Sequence, residues 1–385
     1  MAVVAKSFST RMSRGIDARG EHCSVSREHS EAGADSSAPA IIQRAWKTEM
    51  RVNKHQVKRL ERCMRAARWT WNWALADRIE KYKAFKACEI ESEKAQYKTN
   101  TAIQSRELTR LMRLPENEWL RLVPRTVITF ALRDLDIAYK NFYRRVKEGG
   151  VPGFPKFKSW RGGHHSCSFQ GGKCTHLRVY IPRVGDVRLK EKMYFPDKWH
   201  VNRTTVTKYG GKWFVSVQAE DEMPTNELAA GNRRAVVVPD LPHRVIVICD
   251  GVEKSFTLPI PLALELKRLK RLGRGVSRRK YDRETNYESN RRKDMRARYQ
   301  KFHATIAFRR EYKLNILTTL LVSEYGHFVV HEFNVKERME DEEKNESFEL
   351  ADAAWGEFFR QLKYKSSFAG GSYVTSVVDS RSLPL

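Results

Sequence analysis

Apolar residues recur about one turn apart between Lys54 and Lys86: Val57, Leu60, Cys63 and Met64, then Trp71, Leu75 and Ile79. That period predicts a helix, preceded by a short strand from Ala40 to Arg51. A further helix begins near Arg125, after Trp119, Leu120, Val123 and Pro124. Val127, Ala131, Leu135, Ala138 and Phe142 line one of its faces. Gly149, Gly150, Pro152, Gly153 and Pro155 end the helical part. From Ser166 to Glu220 the period shortens to two: Leu177–Pro182 and Trp213–Gln218 alternate, and Gly210-Gly211 predicts a hairpin turn between Val206 and Trp213. Met223-Pro224-Thr225-Asn226 reads as a linker. Beyond it, Ala235–Val238 and Arg244–Cys249 read as paired strands and Leu262–Arg309 as a long basic helical region. Phe308–Tyr325 reads as another helix, Phe328–Val330 as a buried strand and Asp352–Tyr364 as the next helix. This is the element order of an RNase H-like fold. Trp69, Trp71 and Trp73 read as core residues rather than base-stacking platforms. Residues 1–40 carry no period and read as a disordered extension. The class implied is α+β, in several domains.

Charge narrows the partner. The 385 residues hold 72 Lys and Arg against 46 Asp and Glu, a net charge of +26. A surplus of that size points to a polyanion. Hydrophobic residues make up 41%, enough for real cores. No run approaches about 18 consecutive apolar residues, so no membrane span is expected. Met1–Thr10 lacks the apolar core of a secretory signal. Cys23, Cys63, Cys88, Cys167, Cys174 and Cys249 form no C-x-x-C pair, so neither a zinc ribbon nor a disulfide framework is encoded. Cys167 and Cys174, with His164, His165 and His176 nearby, do not have the spacing of a standard zinc module. Reduced intracellular thiols are the simplest reading.

Two segments carry a resemblance. His327-Phe328-Val329-Val330-His331-Glu332-Phe333-Asn334-Val335-Lys336 and Ala351-Asp352-Ala353-Ala354-Trp355-Gly356-Glu357-Phe358-Phe359-Arg360-Gln361-Leu362-Lys363-Tyr364-Lys365 resemble the second half of the RuvC-like nuclease domain of TnpB (OrfB). TnpB is the RNA-guided transposon nuclease family ancestral to type V CRISPR effectors. Ala67–Leu75 is similar to the family's Arg-Phe-Val-Tyr-Asn-x-x-Leu block. Ala131–Tyr143 and Gly153–Lys158 also follow the family pattern. The resemblance runs from residue 41 to about 376. It implies a wedge-type β-barrel at 41–53 plus 149–224, with an inserted helical recognition lobe at 54–148. A degenerate RuvC-like, RNase H-type α/β domain at 230–376 would follow, lacking its zinc module, then a truncated tail at 377–385.

A RuvC-type nuclease needs carboxylates from three separate elements, converging so that two divalent metals clamp the attacking and leaving oxygens of a phosphodiester. The family's first carboxylate sits in Gly-Ile-Asp-Leu-Gly. Here Val236-Val237-Val238-Pro239-Asp240-Leu241-Pro242 stands in its place. Matching Asp-Leu puts the position on Asp240, with a one-residue deletion before Asp250-Gly251. Matching the downstream Asp-Gly without a gap puts it on Pro239. A slip of one residue turns a strand side chain to the other face, and Pro239 and Pro242 remove backbone donors. The family's second carboxylate falls on His331, with Glu332 one residue on and facing the wrong way. A neutral His brings no negative charge to Mg²⁺, which prefers oxygen ligands. The third follows a four-Cys zinc module in the family. Here no Cys follows Cys249, and Asp379 is not in the family's motif. No zinc, no catalytic Mg²⁺ and no intact catalytic residue are therefore expected.

The features for binding remain. Lys267, Arg268, Lys270 and Arg271 continue to Arg278, Arg279 and Lys280, then Arg291, Arg292, Lys293, Arg296 and Arg298. Leu262, Leu266 and Leu269 could face a core beneath these charges. The resemblance implies that the guide RNA pairs with target DNA, while the protein reads heteroduplex shape and a short flanking motif. Arg125 and Thr129 occupy the motif-reading position, with Lys156 and Lys158 in the adjoining exit segment. The expected protein is a nuclease-inactive descendant, similar to the nuclease-dead TnpB-like repressors. Its partners would be a guide RNA and double-stranded DNA, and at a promoter it would compete with RNA polymerase or a transcription factor. The alternatives are an inactive transposon remnant, a residual metal-dependent endonuclease using Asp240 and Glu332 in shifted registers, and a DNA-binding protein without a guide.

Overall fold

Asn53 fixes where the first helix starts. Its side chain accepts from the Gln56 amide at 2.9 Å, and the Gln56 side chain accepts from the Asn53 amide at 3.1 Å. This reciprocal cap satisfies donors that the first turn leaves open. The structure is a computed structural model that describes residues 41–89, 93–97, 99–150, 152–191, 200–222, 231–282, 284–285, 287–341 and 344–377. The extension read at residues 1–40, the linker at Met223–Asn226 and the tail past Val377, with Asp379, lie outside the described residues.

Strand β1 (Ile41–Arg51) leads into α1 (Lys54–Ala87), α2 (Thr101–Leu111) and α3 (Arg125–Lys147). The chain then returns as β2 (His164–Gln170), β3 (Arg178–Ile181), β4 (Gly185–Leu189), β5 (His200–Tyr209) and β6 (Lys212–Glu222). Helices and sheet share one core: Leu60, Met64 and Leu75 of α1 and Ile128 and Leu132 of α3 are buried with Val187, Val206, Val215 and Val217. Trp71 is in that core. Trp69 and Trp73 sit half-buried at its rim, their rings parallel with centroids 6.3 Å apart.

The sheet order is β2-β5-β6-β1-β4-β3, and the described pairings are antiparallel. A closed barrel was expected. Among the described residues the ladder is open, because β2 pairs only with β5 and the four-residue β3 only with β4. Closing a barrel requires a ladder between the two end strands.

The second half builds a separate core. Strands β7 (Arg233–Asp240), β8 (Arg244–Cys249) and β9 (Val252–Thr257) form an antiparallel meander. Helices α4 (Ala263–Ser277) and α5 (Asn290–Glu324) follow, then β10 (Gly326–Glu332), α6 (Val335–Asp341), α7 (Lys344–Ala353), α8 (Trp355–Phe368) and β11 (Ser372–Val377). The sheet order is β11-β10-β7-β8-β9, with β10 parallel to both β7 and β11. The architecture is thus mixed α/β and multidomain.

Several sequence expectations change here. The break near Arg309 is absent, because α5 contains neither Gly nor Pro and runs on to Glu324. Helix α8 starts at Trp355 rather than Asp352, because Ala354 adopts a left-handed φ of 56° between α7 and α8. Strand β9 went unread because Val252–Thr257 is an exposed edge strand with no apolar alternation. Ser372–Val377, to which the sequence pattern assigned no strand, is the edge strand beside β10. No described helix is long and apolar enough to cross a membrane.

Helix α5 ties the two cores together. At 35 residues it is about 50 Å long. Its middle docks on the first sheet: Gln300 donates to the Arg161 carbonyl at 2.9 Å, and Phe308 packs on Tyr209 and Phe214. Glu311 pairs with Lys47 at 3.2 Å. Its last turns place Leu314, Leu321 and Val322 in the second core. At Gly210, an added Cβ would overlap the Ala304 methyl, and φ is +60°. Gly210→Ala is therefore expected to cost about 1–3 kcal/mol through overpacking and backbone strain. Urea unfolding measures this, and a loss under about 0.5 kcal/mol, the range of a neutral surface change, would mean that α5 does not seat there.

Candidate nucleic-acid interface and carboxylate positions

The basic region folds as an antiparallel hairpin of α4 and α5, and helical phase sorts its cations. On α4, Leu266, Leu269, Leu272 and Val276 are half-buried toward α5. At about 100° per residue, Leu264, Lys267, Arg271, Arg274 and Arg278 follow one another along the opposite ridge, with Lys270 beside it. All of these are exposed. The cationic part of the ridge spans about 16 Å. Arg268 and Arg279 stand apart from it. Arg268 lies over the Phe302 ring at 4.7 Å, and Arg279 donates to the Gly275 carbonyl of its own helix. Lys280 is exposed beyond the helix end. Arg274, flanked by glycines, was missed because contiguous basic runs were counted rather than positions three and four apart.

Glu288 is buried and pairs with Arg296 at 2.8 Å and Arg292 at 3.4 Å. Arg292 also donates to the carbonyls of Val276 and Arg279, at 2.9 and 2.7 Å, closing the C-terminus of α4. Tyr281 lies between Arg161 and Arg292, whose guanidiniums approach its ring to 4.3 and 5.1 Å. Because α5 has α4 on one side and the first sheet on the other, α4 forms an outer layer with its ridge facing solvent.

The predicted motif readers have internal partners. Arg125, in the first turn of α3, donates to Thr109 Oγ1 at 2.7 Å and to the Ser105 carbonyl at 3.2 Å, bracing α2. Thr129 donates back to the Arg125 carbonyl at 3.2 Å. Lys156 is exposed, and its carbonyl accepts from the Trp71 indole at 3.0 Å. Lys158 Nζ lies 3.6 Å from the centroid of the Trp71 ring, and its backbone exchanges hydrogen bonds with Asn72.

The carboxylate positions are set by strand parity. Ala235, Val237 and Pro239 of β7 are buried toward α5 and α8, while Val236, Val238 and Asp240 point the other way. Strand β10 pairs in register, Val329 with Val236 and Val330 with Val237. One residue further, His331 falls on the face of Val238 and Asp240, and Glu332 on the core face with Pro239. Asp240 and Glu332 are therefore on opposite faces of the sheet. Each is also engaged: Asp240 pairs with its cross-strand neighbour Arg244 at 3.0 Å, and Glu332 accepts from the Tyr373 hydroxyl on β11. Burial, with the Glu332 carboxylate second, pushes the Tyr373 hydroxyl well above the usual tyrosine range.

A pair of divalent metals needs oxygen donors converging on one point. An imidazole, an aspartate held by arginine and a glutamate on the far face do not meet that need. Among the described residues no cluster of at least three His, Cys, Asp or Glu could hold a metal ion. After α8 the chain passes through Gly370-Gly371 directly into β11.

Comparison with known proteins identifies relatives. A family model described as a helix-turn-helix domain (HTH_OrfB_IS605) matches residues 42–87, which here are a strand followed by one unbroken helix. The chain is 27% identical over 353 residues to InsQ, a candidate RNA-guided DNA endonuclease of Escherichia coli (strain K12), covering 85% of this chain and 78% of the relative. It is 24% identical over 344 residues to a candidate RNA-guided DNA endonuclease of Streptomyces pristinaespiralis, covering 86% and 77%. Among solved structures, a Cas12f1–sgRNA–target DNA complex aligns with a TM-score of 0.47 at 10% identity, covering 84% of this chain and 73% of that one.

The Glu332–Tyr373 bond has a titratable signature. A hydroxyl whose folded pKa is raised contributes stability that is complete below its unfolded value, near 10.0. That contribution is lost as pH rises further. The stability difference between wild type and Tyr373→Phe is expected to shrink above pH 10 in urea unfolding. A difference constant from pH 8 to 11 would sink the assignment.

Proposed function

This chain belongs to the TnpB/OrfB-type family, and from that premise we propose that it is an RNA-guided DNA-binding protein that holds matched DNA without cutting it. Bound beside a short flanking motif at a promoter, it would repress transcription by excluding RNA polymerase or a transcription factor. The sheet order β11-β10-β7-β8-β9 supports reading the second half as a RuvC-type domain that retains its scaffold. The first sheet with its inserted helices supports a wedge and recognition lobe, in open rather than barrel form.

One observation carries the inactivity: the two acids nearest the ancestral positions, Asp240 and Glu332, lie on opposite sheet faces and are bound to Arg244 and Tyr373. A shifted-register endonuclease would need them together. Meanwhile the cationic ridge of α4 is exposed, as a phosphate-binding surface requires. A protein repairing its site by one substitution is not expected either. His331→Glu restores one carboxylate on the face of Asp240, while Asp240 remains paired to Arg244.

The test is purification from the native host, sequencing of the bound RNA, and incubation of the complex with matching duplex DNA in Mg²⁺ or Mn²⁺. One dominant RNA with a constant scaffold and a discrete guide, binding without cleavage, and no cleavage by His331→Glu are the expected results. Cleavage by the wild-type complex would overturn inactivity, and heterogeneous or absent RNA would overturn guidance.

A further inference from the structure

Among the described residues, the second sheet is covered on one side. Helices α5 and α8 pack on the face of Ala235, Val237, Phe328 and Val330. On the other face, the pairing registers align Val374 of β11, Val329 of β10, Val236 of β7 and Ile248 of β8 in one row across four strands. Val238 and Ile246 form a second pair beside that row. Val374 is 54% exposed and the other five are half-buried. None of the six belongs to the core under the helices or packs against it. Their half-burial comes from one another, because β-branched side chains on neighbouring strands screen each other.

The patch has a polar border. Arg234 and His327 stand at one end of the strands, Asp240 and His331 at the other, and Glu253 at the β9 edge. An apolar centre inside a polar rim is the anatomy of a protein–protein interface. A phosphate backbone would need cations in the middle, and the middle is aliphatic. Symmetry and charge name the occupant. Val237, Val247 and Val330 stand level in the sheet. A two-fold axis at that level, perpendicular to the strands, lays each strand antiparallel on the same strand of a second copy. Val236 then faces Val238 of the second copy, Ile248 faces Ile246, and Arg234 faces Asp240. The Asp240 carboxylate keeps Arg244 at 3.0 Å and has further lone pairs for this second guanidinium. Strand spacing and rise give a flat face of about 24 by 20 Å per copy. Two such faces bury close to the ~1,200 Å² at which specific interfaces begin, since side chains add to the flat area.

We propose that this face is the interface of a two-fold dimer, in which the bare sides of two second sheets pack together as a sandwich. Sheets that pack face to face keep their strands within about 30° of one another, so the antiparallel alignment is a standard one. The same patch serves both copies, as a closed two-fold assembly requires. The aliphatic row supplies the apolar contact, and the Arg234–Asp240 pairs fix the direction of one copy on the other. Asp240 and His331 border this face, so the second copy would also cover the side of the sheet to which they point. The inference goes beyond the proposed function and does not rest on it.

The test is sedimentation velocity with light scattering on the full-length protein, over a range of concentration, before and after nuclease treatment. Salt is held at about 0.3 M to screen the like net charge of the two copies. A concentration-dependent mass of two chains that survives nuclease is expected. A monomer at every concentration, or a dimer that nuclease dissolves, would overturn the proposal. Val236→Thr/Val329→Thr keeps β-branched side chains on the strands and is expected to weaken association about tenfold or more. Its urea unfolding, measured on diluted monomer, is expected to match wild type, because a face open to water tolerates the hydroxyls. A less stable monomer would mean that residues of the same chain cover the face, and would overturn the proposal. Arg234→Glu sets like charges against Asp240 of the second copy and is also expected to weaken association. Unchanged association in either variant counts against the interface. These measurements read neither cleavage nor bound RNA, so the inference and the proposed function fail separately.

Discussion

The contact between Ala304 and Gly210 sets the spacing of the two cores. Gly210 tolerates the approach of α5 because it has no side chain and because the hairpin turn it occupies needs a positive φ. Around that point the seam is built from aromatic and polar contacts rather than a large apolar face: Phe308 on Tyr209 and Phe214, Gln300 on the Arg161 carbonyl, Glu311 on Lys47. The same helix then enters the second core through Leu314, Leu321 and Val322. An unbroken helix of this length transmits position rigidly, so the first sheet, the basic hairpin and the second sheet are held in one frame.

That frame explains how so basic a hairpin folds. Cations facing inward have partners. Arg292 and Arg296 meet the buried Glu288 and Arg161 lies on the Tyr281 ring, while of the exposed cations Arg309 meets Glu265 and Arg268 lies on the Phe302 ring. A buried ionic group with these partners avoids most of the desolvation cost of an unpaired charge. Cations facing outward are left to solvent, and their mutual repulsion is what a polyanion would relieve. The division between structural and available cations follows from helical phase together with what packs against each face.

On the second sheet, strand parity decides which acids share a face. A parallel sheet brings neighbouring strand ends together, and its alternation assigns each residue to one face. Asp240 and Glu332 are close in the sheet and chemically suitable, yet they differ in parity. Each has taken a local partner, Arg244 and Tyr373, which suits a stable sheet end and leaves neither carboxylate free.

Much of this was legible in the chain itself. The helical periods at Lys54–Lys86 and from Arg125, the Gly210-Gly211 hairpin, the paired strands at Ala235 and Arg244 and the buried strand at Phe328 follow from local spacing, because amphipathic periodicity is a property of consecutive residues. That His331, Pro239, Asp240 and Glu332 stand near these strand ends was equally visible, since it concerns residue type and local position. What the tertiary structure decided are relations between distant segments. Strand β11 was invisible because a parallel edge strand is defined by its neighbour. The open first sheet depends on which ends fail to pair. Arg125 looked available until α2 was placed beside it, and Leu262 looked buried until the start of α4 was fixed. Whether a given arginine on a basic helix serves the fold or faces a partner depends on what packs against it, and the linear sequence does not contain that information in any local form.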